Sequence, residues 1–195
     1  MIQRIFALLT ALLALSALTG CGYNDFQRLD EQSKAAWSEV LNQYQRRADL
    51  VPNIVATVKG EANFEQETLT RVVEARAKAT SIQVTPETLN NPEAFNKFQQ
   101  AQGELSGALS RLMVVSEAYP DLKANQNMMQ LTEELTSTEN RIAFARQAYN
   151  DSVMAYNNRR EVFPSNIIAG MFNFVAAALL EITDPAQRQA PKVSF

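Results

Sequence analysis

The chain has 195 residues, 46% hydrophobic, with only 6 Gly and 7 Pro and a formal charge of −3 from 18 basic and 21 acidic side chains. That suffices for one domain with a packed core, and the charge balance excludes the basic footprint of a nucleic-acid binder. Histidine is absent and Cys21 is the only cysteine, which excludes Ser-His-Asp and Cys-His catalysis, a thiolate zinc site, a CxxC redox pair and an internal disulfide.

The first twenty residues read as a signal peptide. Arg4 gives a weakly positive start, Ile5 to Leu18 is apolar apart from Thr10 and Ser16, and Leu18-Thr19-Gly20-Cys21 closes the stretch. This resembles the lipobox of bacterial lipoproteins, in which the cysteine is acylated, with palmitate among its chains, and the segment before it is cleaved. The 14-residue apolar run falls short of the roughly 20 residues that span a bilayer as a helix. Several acyl chains on Cys21 would anchor stably, at about 0.8 kcal/mol per buried CH2. The alternative is an uncleaved anchor helix from Ile2 to Gly22. Gly22, rather than Asp, after the cysteine resembles the outer-membrane sorting default in hosts with two membranes. No Ser/Gly/Asn-rich tether follows, and helical patterning begins by Asn24 to Phe26.

A first helix is predicted from the apolar or small residues Phe26, Leu29, Ser33, Ala36/Trp37, Val40, Tyr44, Ala48, Val51, Ile54/Val55 and Val58. Their spacing of three and four marks one buried stripe. It keeps phase through Pro52, which predicts a kink inside one long helix and a stop at Gly60. A second helix is expected from about Asn63, as its cap, to Ser81, with Leu69, Val72/Val73, Arg76 and Ala79 inward. A connection over Ile82 to Asn91 precedes a third helix starting at Pro92, which suits the first helical position. Gly103 and Gly107 inside it predict close contact with a neighbouring helix. The fourth helix carries a stripe from Met128 through Leu135, Ile142, Tyr149 and Tyr156 to Phe163, about five heptads and some 54 Å long. Pro164 stops it. Ile167 to Leu180 is then expected as a capping helix of the core or an interfacial helix. The fold class is all-α: an elongated antiparallel helical bundle with long coiled-coil-like helices over 21–181, and a disordered tail over 182–195.

Along the way several motifs accumulate. Arg47-Ala48-Asp49-Leu50-Val51-Pro52-Asn53-Ile54-Val55 resembles the R-x-D-L-[IV]-P-N-[LI]-V signature of the LemA family. Glu117-Ala118-Tyr119-Pro120-Asp121-Leu122-Lys123-Ala124-Asn125 is similar to its E-x-Y-P-D-L-K-A-N block. Glu134-Leu135, Glu139-Asn140-Arg141-Ile142 and Ala145-Arg146-Gln147-Ala148-Tyr149-Asn150 follow its next stretch, continued by Val153, Tyr156-Asn157 and Pro164-Ser165-Asn166. The resemblance covers nearly all of the chain after Cys21 and implies an antiparallel helical bundle. It also implies that many relatives carry an uncleaved membrane helix just before the Tyr-Asn found here as Tyr23-Asn24. A magnetosome member of the family implies a link to membrane organisation.

Glu139, Arg146, Asn150 and Asn157 lie seven, four and seven apart and so share a helix face, while Arg47 flanks the first stripe. A buried charge left unpaired costs several kcal/mol, so Arg47 is expected to pair with Glu139 or Glu117 and to set register; the alternative is a contact to a partner. Tyr119-Pro120 with Asp121 and Lys123 reads as a helix corner with Asn125 or Asn127 as the next cap, or as an exposed docking tip. The six methionines read as packing. No enzyme activity, metal or cofactor is expected: helical-bundle di-iron sites use Glu-x-x-His pairs and the chain has no histidine. The expectation is a membrane-anchored, non-enzymatic scaffold or adaptor of the bacterial envelope, at the periplasmic face of the outer membrane in a two-membrane host. Its partners would be the membrane, through the lipid, and an envelope protein, with oligomerisation left open. The alternative is a membrane-remodelling module acting through Ile167 to Leu180.

Overall fold

The computed structural model describes residues 2–61, 64–82, 85 and 91–180, with the side chains of 7, 8 and 11–21 outside that description. Six helices follow in order among these residues: α1 (Ile2–Lys59), α2 (Gln66–Ser81), α3 (Pro92–Ser116), α4 (Pro120–Ala124), α5 (Gln126–Glu161) and α6 (Ser165–Met171). The protein is all-α. None of its described helices is long and apolar enough to cross a membrane.

α1 and α5 form the spine. Their cross-links run antiparallel: Asp25 to Arg159, Arg47 to Glu139 and Arg46 to Glu134. α2 and α3 form a second antiparallel pair, closed at the surface by Lys78 and Glu104. The 3–4 stripes of α1, α3 and α5 meet in three apolar clusters along the rod. The cluster farthest from the N-terminus holds Val51, Ile54, Leu105, Leu109, Leu112 and Leu135. In the middle, the Trp37 ring lies 5.6, 5.5 and 5.2 Å from those of Phe95, Phe98 and Tyr149. Nearest the N-terminus, Phe26 packs with Tyr156, Ile168 and Ala169. Asn91 caps α3 by accepting from the Glu93 and Ala94 amides, and Asn125 caps α5 from Asn127 and Met128.

Several details differ from the sequence expectations. α2 begins at Gln66 with no side-chain cap, and Asn63 lies outside the described residues. Val73 is exposed rather than inward. A Cβ on Gly107 would meet nothing within 4 Å, so this glycine opens a cleft instead of permitting close helix contact. Phe163 is exposed and does not extend the α5 stripe. Of the methionines, Met113 and Met128 pack, while Met129, Met154 and Met171 are exposed.

The largest departure is after α6. Ile167 to Leu180 is not one helix: α6 ends at Met171 and Asn173 takes a positive φ of 54°. The Phe174 amide donates to Ala169 O at 2.9 Å and the Asn173 amide to Gly170 O at 3.4 Å. That is the bonding of a Schellman stop, with Asn in the left-handed position glycine usually fills. Residues 174–180 then run back along α5 without helical structure. The tail expected from 182 lies outside the described residues.

Candidate functional site

α5 presents its polar residues along one line, and they meet two different surroundings. The first is Arg47, at the boundary of the far and middle clusters and only 2% exposed. Its Nη1 donates to Glu139 Oε1 and Oε2 at 3.0 and 3.3 Å. Its Nη2 donates to Gln102 O at 3.0 Å and to Gln102 Oε1 at 2.7 Å. The guanidinium also lies 5.0 Å from the Tyr44 ring centroid. One residue therefore ties α1 to both α3 and α5, while Nε is buried without a partner. Glu117, the other carboxylate considered for Arg47, lies at the far corner instead.

Beside Arg47 a cleft of about 370 Å³ opens between α3 and α5, floored by Gly103, Ser106, Gly107 and Ser110 and edged by Glu139 and Arg146. Gln99 Oε1, buried without a partner, belongs to a lining residue. Burial pushes the Tyr44 phenol up, and the nearby Arg146 and Arg47 charges offset part of that rise. The cleft's hydroxyls have no histidine to activate them. What the arrangement can do is hold charge and donate hydrogen bonds.

Pro52 and Arg76 form a link that sequence reasoning missed. Proline lacks the amide that would bond the carbonyl four residues back, which in α1 is Ala48 O. Arg76 Nε of α2 donates to that carbonyl at 2.8 Å. Pro52 thus leaves a docking point in α1, and α2 is pinned to it. An arginine on the inner side of α2 together with a mid-helix proline was the available signal.

The second surrounding of α5 is the extended segment 174–180. Asn150 Nδ2 donates to Leu180 O at 2.9 Å and its Oδ1 accepts from the Leu180 amide at 2.8 Å. Asn157 repeats this with Ala177, both bonds at 3.0 Å. Tyr149 and Tyr156 hydroxyls donate to Ala178 O and Val175 O, each at 2.9 Å, and Arg160 Nε donates to Phe174 O at 3.0 Å. The match is metric. Seven helical residues rise about 10.5 Å, and three extended residues span about 10 Å. A Tyr-Asn pair repeated at seven therefore meets the extended backbone at every third residue. Burial raises the Tyr149 phenol to about 12.

The remaining signature residues sit elsewhere. Asp49 is exposed and accepts from Gln45, and Pro52 and Asn53 are exposed on α1. At the corner the Tyr119 ring lies 5.0 Å from Phe64, Pro120 opens α4, and Asp121 is exposed. Glu117, Lys123 and Asn140 edge a groove of about 670 Å³ that Met113, Met128 and Met129 line. Among the described residues no three His, Cys, Asp or Glu side chains are grouped to hold a metal.

The family model described as "LemA family" matches residues 36–195. A relative named Protein LemA, from Metamycoplasma hominis, is 24% identical over 161 residues, covering 83% of this chain and 69% of the relative. Magnetosome protein MamQ 2 of Paramagnetospirillum magneticum is 27% identical over 171 residues, covering 80% and 63%. Magnetosome protein MamQ of Magnetospirillum gryphiswaldense is 26% identical over 168 residues, covering 78% and 62%. The chain thus spans between 62% and 69% of the length of these relatives.

Proposed function

The chain belongs to the LemA family, and we propose that it is a membrane-anchored, non-enzymatic scaffold or adaptor of the bacterial envelope, held by acyl chains on Cys21. One observation carries this reading: the buried part of the polar signature, Arg47 and the two Tyr-Asn pairs, is spent on the chain itself. Arg47 is bound by Glu139 and Gln102, and the two Tyr-Asn pairs are bound by the backbone of 175–180. A motif used this way fixes a rigid rod rather than a reaction. The rod's outer α5 face leaves Met129, Phe144 and Met154 exposed, and recognition surfaces on rigid scaffolds take this form. On this reading, in a host with two membranes the anchor sits in the outer membrane and faces the periplasm, as Gly22 rather than Asp after the cysteine suggests.

The test is photocross-linking in cells from Phe144 and Met154, followed by mass spectrometry. A reproducible envelope protein, lost when Phe144→Glu is introduced, supports the scaffold. Recovery of no protein from either position overturns it. Separately, Cys21→Ser should release a folded chain from the membrane fraction; a variant that stays firmly bound replaces the lipid with an uncleaved helix.

A further inference from the structure

α6 lies at a fixed height relative to the N-terminal apolar segment. α1 is one uninterrupted helix, so Ile5 to Leu18, Cys21 and Tyr23 share an axis. Ile168 of α6 sits on Gly22, where an added Cβ would collide with its Cδ1. The Phe172 ring lies 4.9 Å from that of Tyr23, and the Phe174 ring 5.9 Å from it. At 1.5 Å per residue, Gly22 and Tyr23 stand only about 2 and 3 Å beyond Cys21. That is less than the depth of one headgroup layer, about 6 Å. Acyl chains on Cys21 and a retained apolar helix both bring α6 to the same level.

At that level the outer edge of α6 is apolar. Ile167 and Met171, four apart and so side by side, are 54% and 70% exposed. Phe163 and Phe172 flank them at 75% and 53%. No residue from Val162 through Leu180 carries a charge; Arg159, paired with Asp25, Arg160 and Glu161 stand just before the run. An uncharged edge of aromatic and aliphatic side chains with charged residues at its border suits the boundary between acyl chains and headgroups. The inward side of α6 is already used, since Ile168 and Ala169 pack against Phe26 and Tyr156.

We infer that the edge formed by Phe163, Ile167, Met171 and Phe172 inserts into the bilayer that anchors the chain. α6 is then a second membrane contact, and two contacts fix the tilt of the rod where one leaves it free to swing. This rests on the membrane-anchored reading above. The occupant is lipid rather than protein because a partner would have to reach the same thin layer beside Cys21.

The test uses the full chain reconstituted from detergent into phosphatidylethanolamine/phosphatidylglycerol vesicles. Met171→Cys, Ile167→Cys and Phe144→Cys variants carry an environment-sensitive fluorophore, and the parent chain labelled in parallel serves as the blank. Lipids bearing a quencher near the top of the acyl chain should quench positions 167 and 171 about fivefold more than position 144. Ile167→Gln with Met171→Gln should keep the melting temperature and reduce quenching of a probe at Phe163→Cys. A chain that fails to float with the vesicles overturns the anchor and this inference together. A chain that floats with its 171 probe as wet as its 144 probe overturns the inference alone. So does self-quenching between labelled copies at 171 without lipid quenching, which gives the patch to a second copy.

Discussion

At Glu139, α5 meets a buried guanidinium; about three and five turns further on, at Asn150 and Asn157, it meets neutral backbone. Arg47 concentrates four hydrogen bonds from two other helices on one charged, 2% exposed side chain. The amide ladder spreads its bonds over four side chains and a segment with no helix of its own. A buried charge must be matched fully or its cost is several kcal/mol, whereas each neutral rung adds about 1 kcal/mol. The charged region should therefore fail abruptly, and the ladder one rung at a time.

The largest expected effect comes from Glu139→Ala. It strips a buried arginine of the counter-charge it has among the described residues and should cost about 3 kcal/mol, the low end for buried pairs because Glu139 is partly exposed. Arg47→Met should also destabilise strongly, since it orphans Gln102 and Glu139. Joining Arg47→Met to Glu139→Ala should cost about 2 kcal/mol less than the sum of the single substitutions, because no charge is then left to desolvate. Urea denaturation of the four proteins measures this cycle. Strict additivity would mean that Arg47 and Glu139 are not a coupled pair.

The next effect is a pH dependence located in the ladder. Burial holds the Tyr149 phenol at about 12 against an ordinary 10.0, and only the protonated phenol can donate to Ala178 O. The folded value lies above the unfolded one. The contribution is therefore complete below pH 10 and is lost as pH rises through 12, by between about 2 and 3 kcal/mol in all. Tyr149→Phe should be about 1 kcal/mol weaker at pH 8 and should lose less between pH 10 and 12. Tyr44 and Tyr156, also raised by burial, keep its slope from vanishing. An unchanged slope in Tyr149→Phe would remove Tyr149 from the account.

A smaller effect separates the rungs. Asn157→Asp keeps an acceptor for the Ala177 amide but sets a carboxylate against Ala177 O, where Nδ2 donated. It should cost about 1–2 kcal/mol, as much as Asn157→Ala despite being nearly isosteric. Amide exchange at Ala177 should speed up far more than at Leu180, which Asn150 holds. Equal acceleration at both would make 174–180 a single all-or-none unit and erase the contrast with Arg47.

The two regions also differ in how far they can be read from sequence. The all-helical fold is legible because three stripes hold a 3–4 spacing across most of the chain, and Pro52 stays inside α1 because the stripe keeps phase through it. Arg47 stands out as a charge beside an apolar stripe, and Glu139 and Arg146 share a face that seven-residue spacing discloses. Nothing comparable marks 174–180. Phe174-Val175-Ala176-Ala177-Ala178-Leu179-Leu180 has no alternation, and its hydrogen-bond partners are side chains on a helix rather than another strand. The Tyr-Asn pair repeated at seven was the signal, and it makes sense only once the 10 Å match between helix and extended chain is in view. Asn173 was equally ambiguous, an interruption in an apolar run until its positive φ makes it a stop.

The smallest effect has the opposite sign. A glycine in a helix permits close approach or leaves open space, and residue type alone does not say which. At Gly107 an added Cβ meets nothing within 4 Å, so Gly107→Ala should stabilise the protein by about 0.5–1 kcal/mol, the propensity difference between the two residues. A loss of stability instead would mean that the cleft beside Arg47 closes in solution and that α3 and α5 touch there. With the gain observed, Gly107 holds the cleft floor open at the expense of helix stability, while the ladder has every rung filled. Cross-linking from Phe144 then decides what the space is for. If the Gly107→Ala protein is more stable yet loses its envelope partner, the cleft edged by Glu139 and Arg146 is where that partner's polar group enters, and Arg47 serves both the bundle and its recognition.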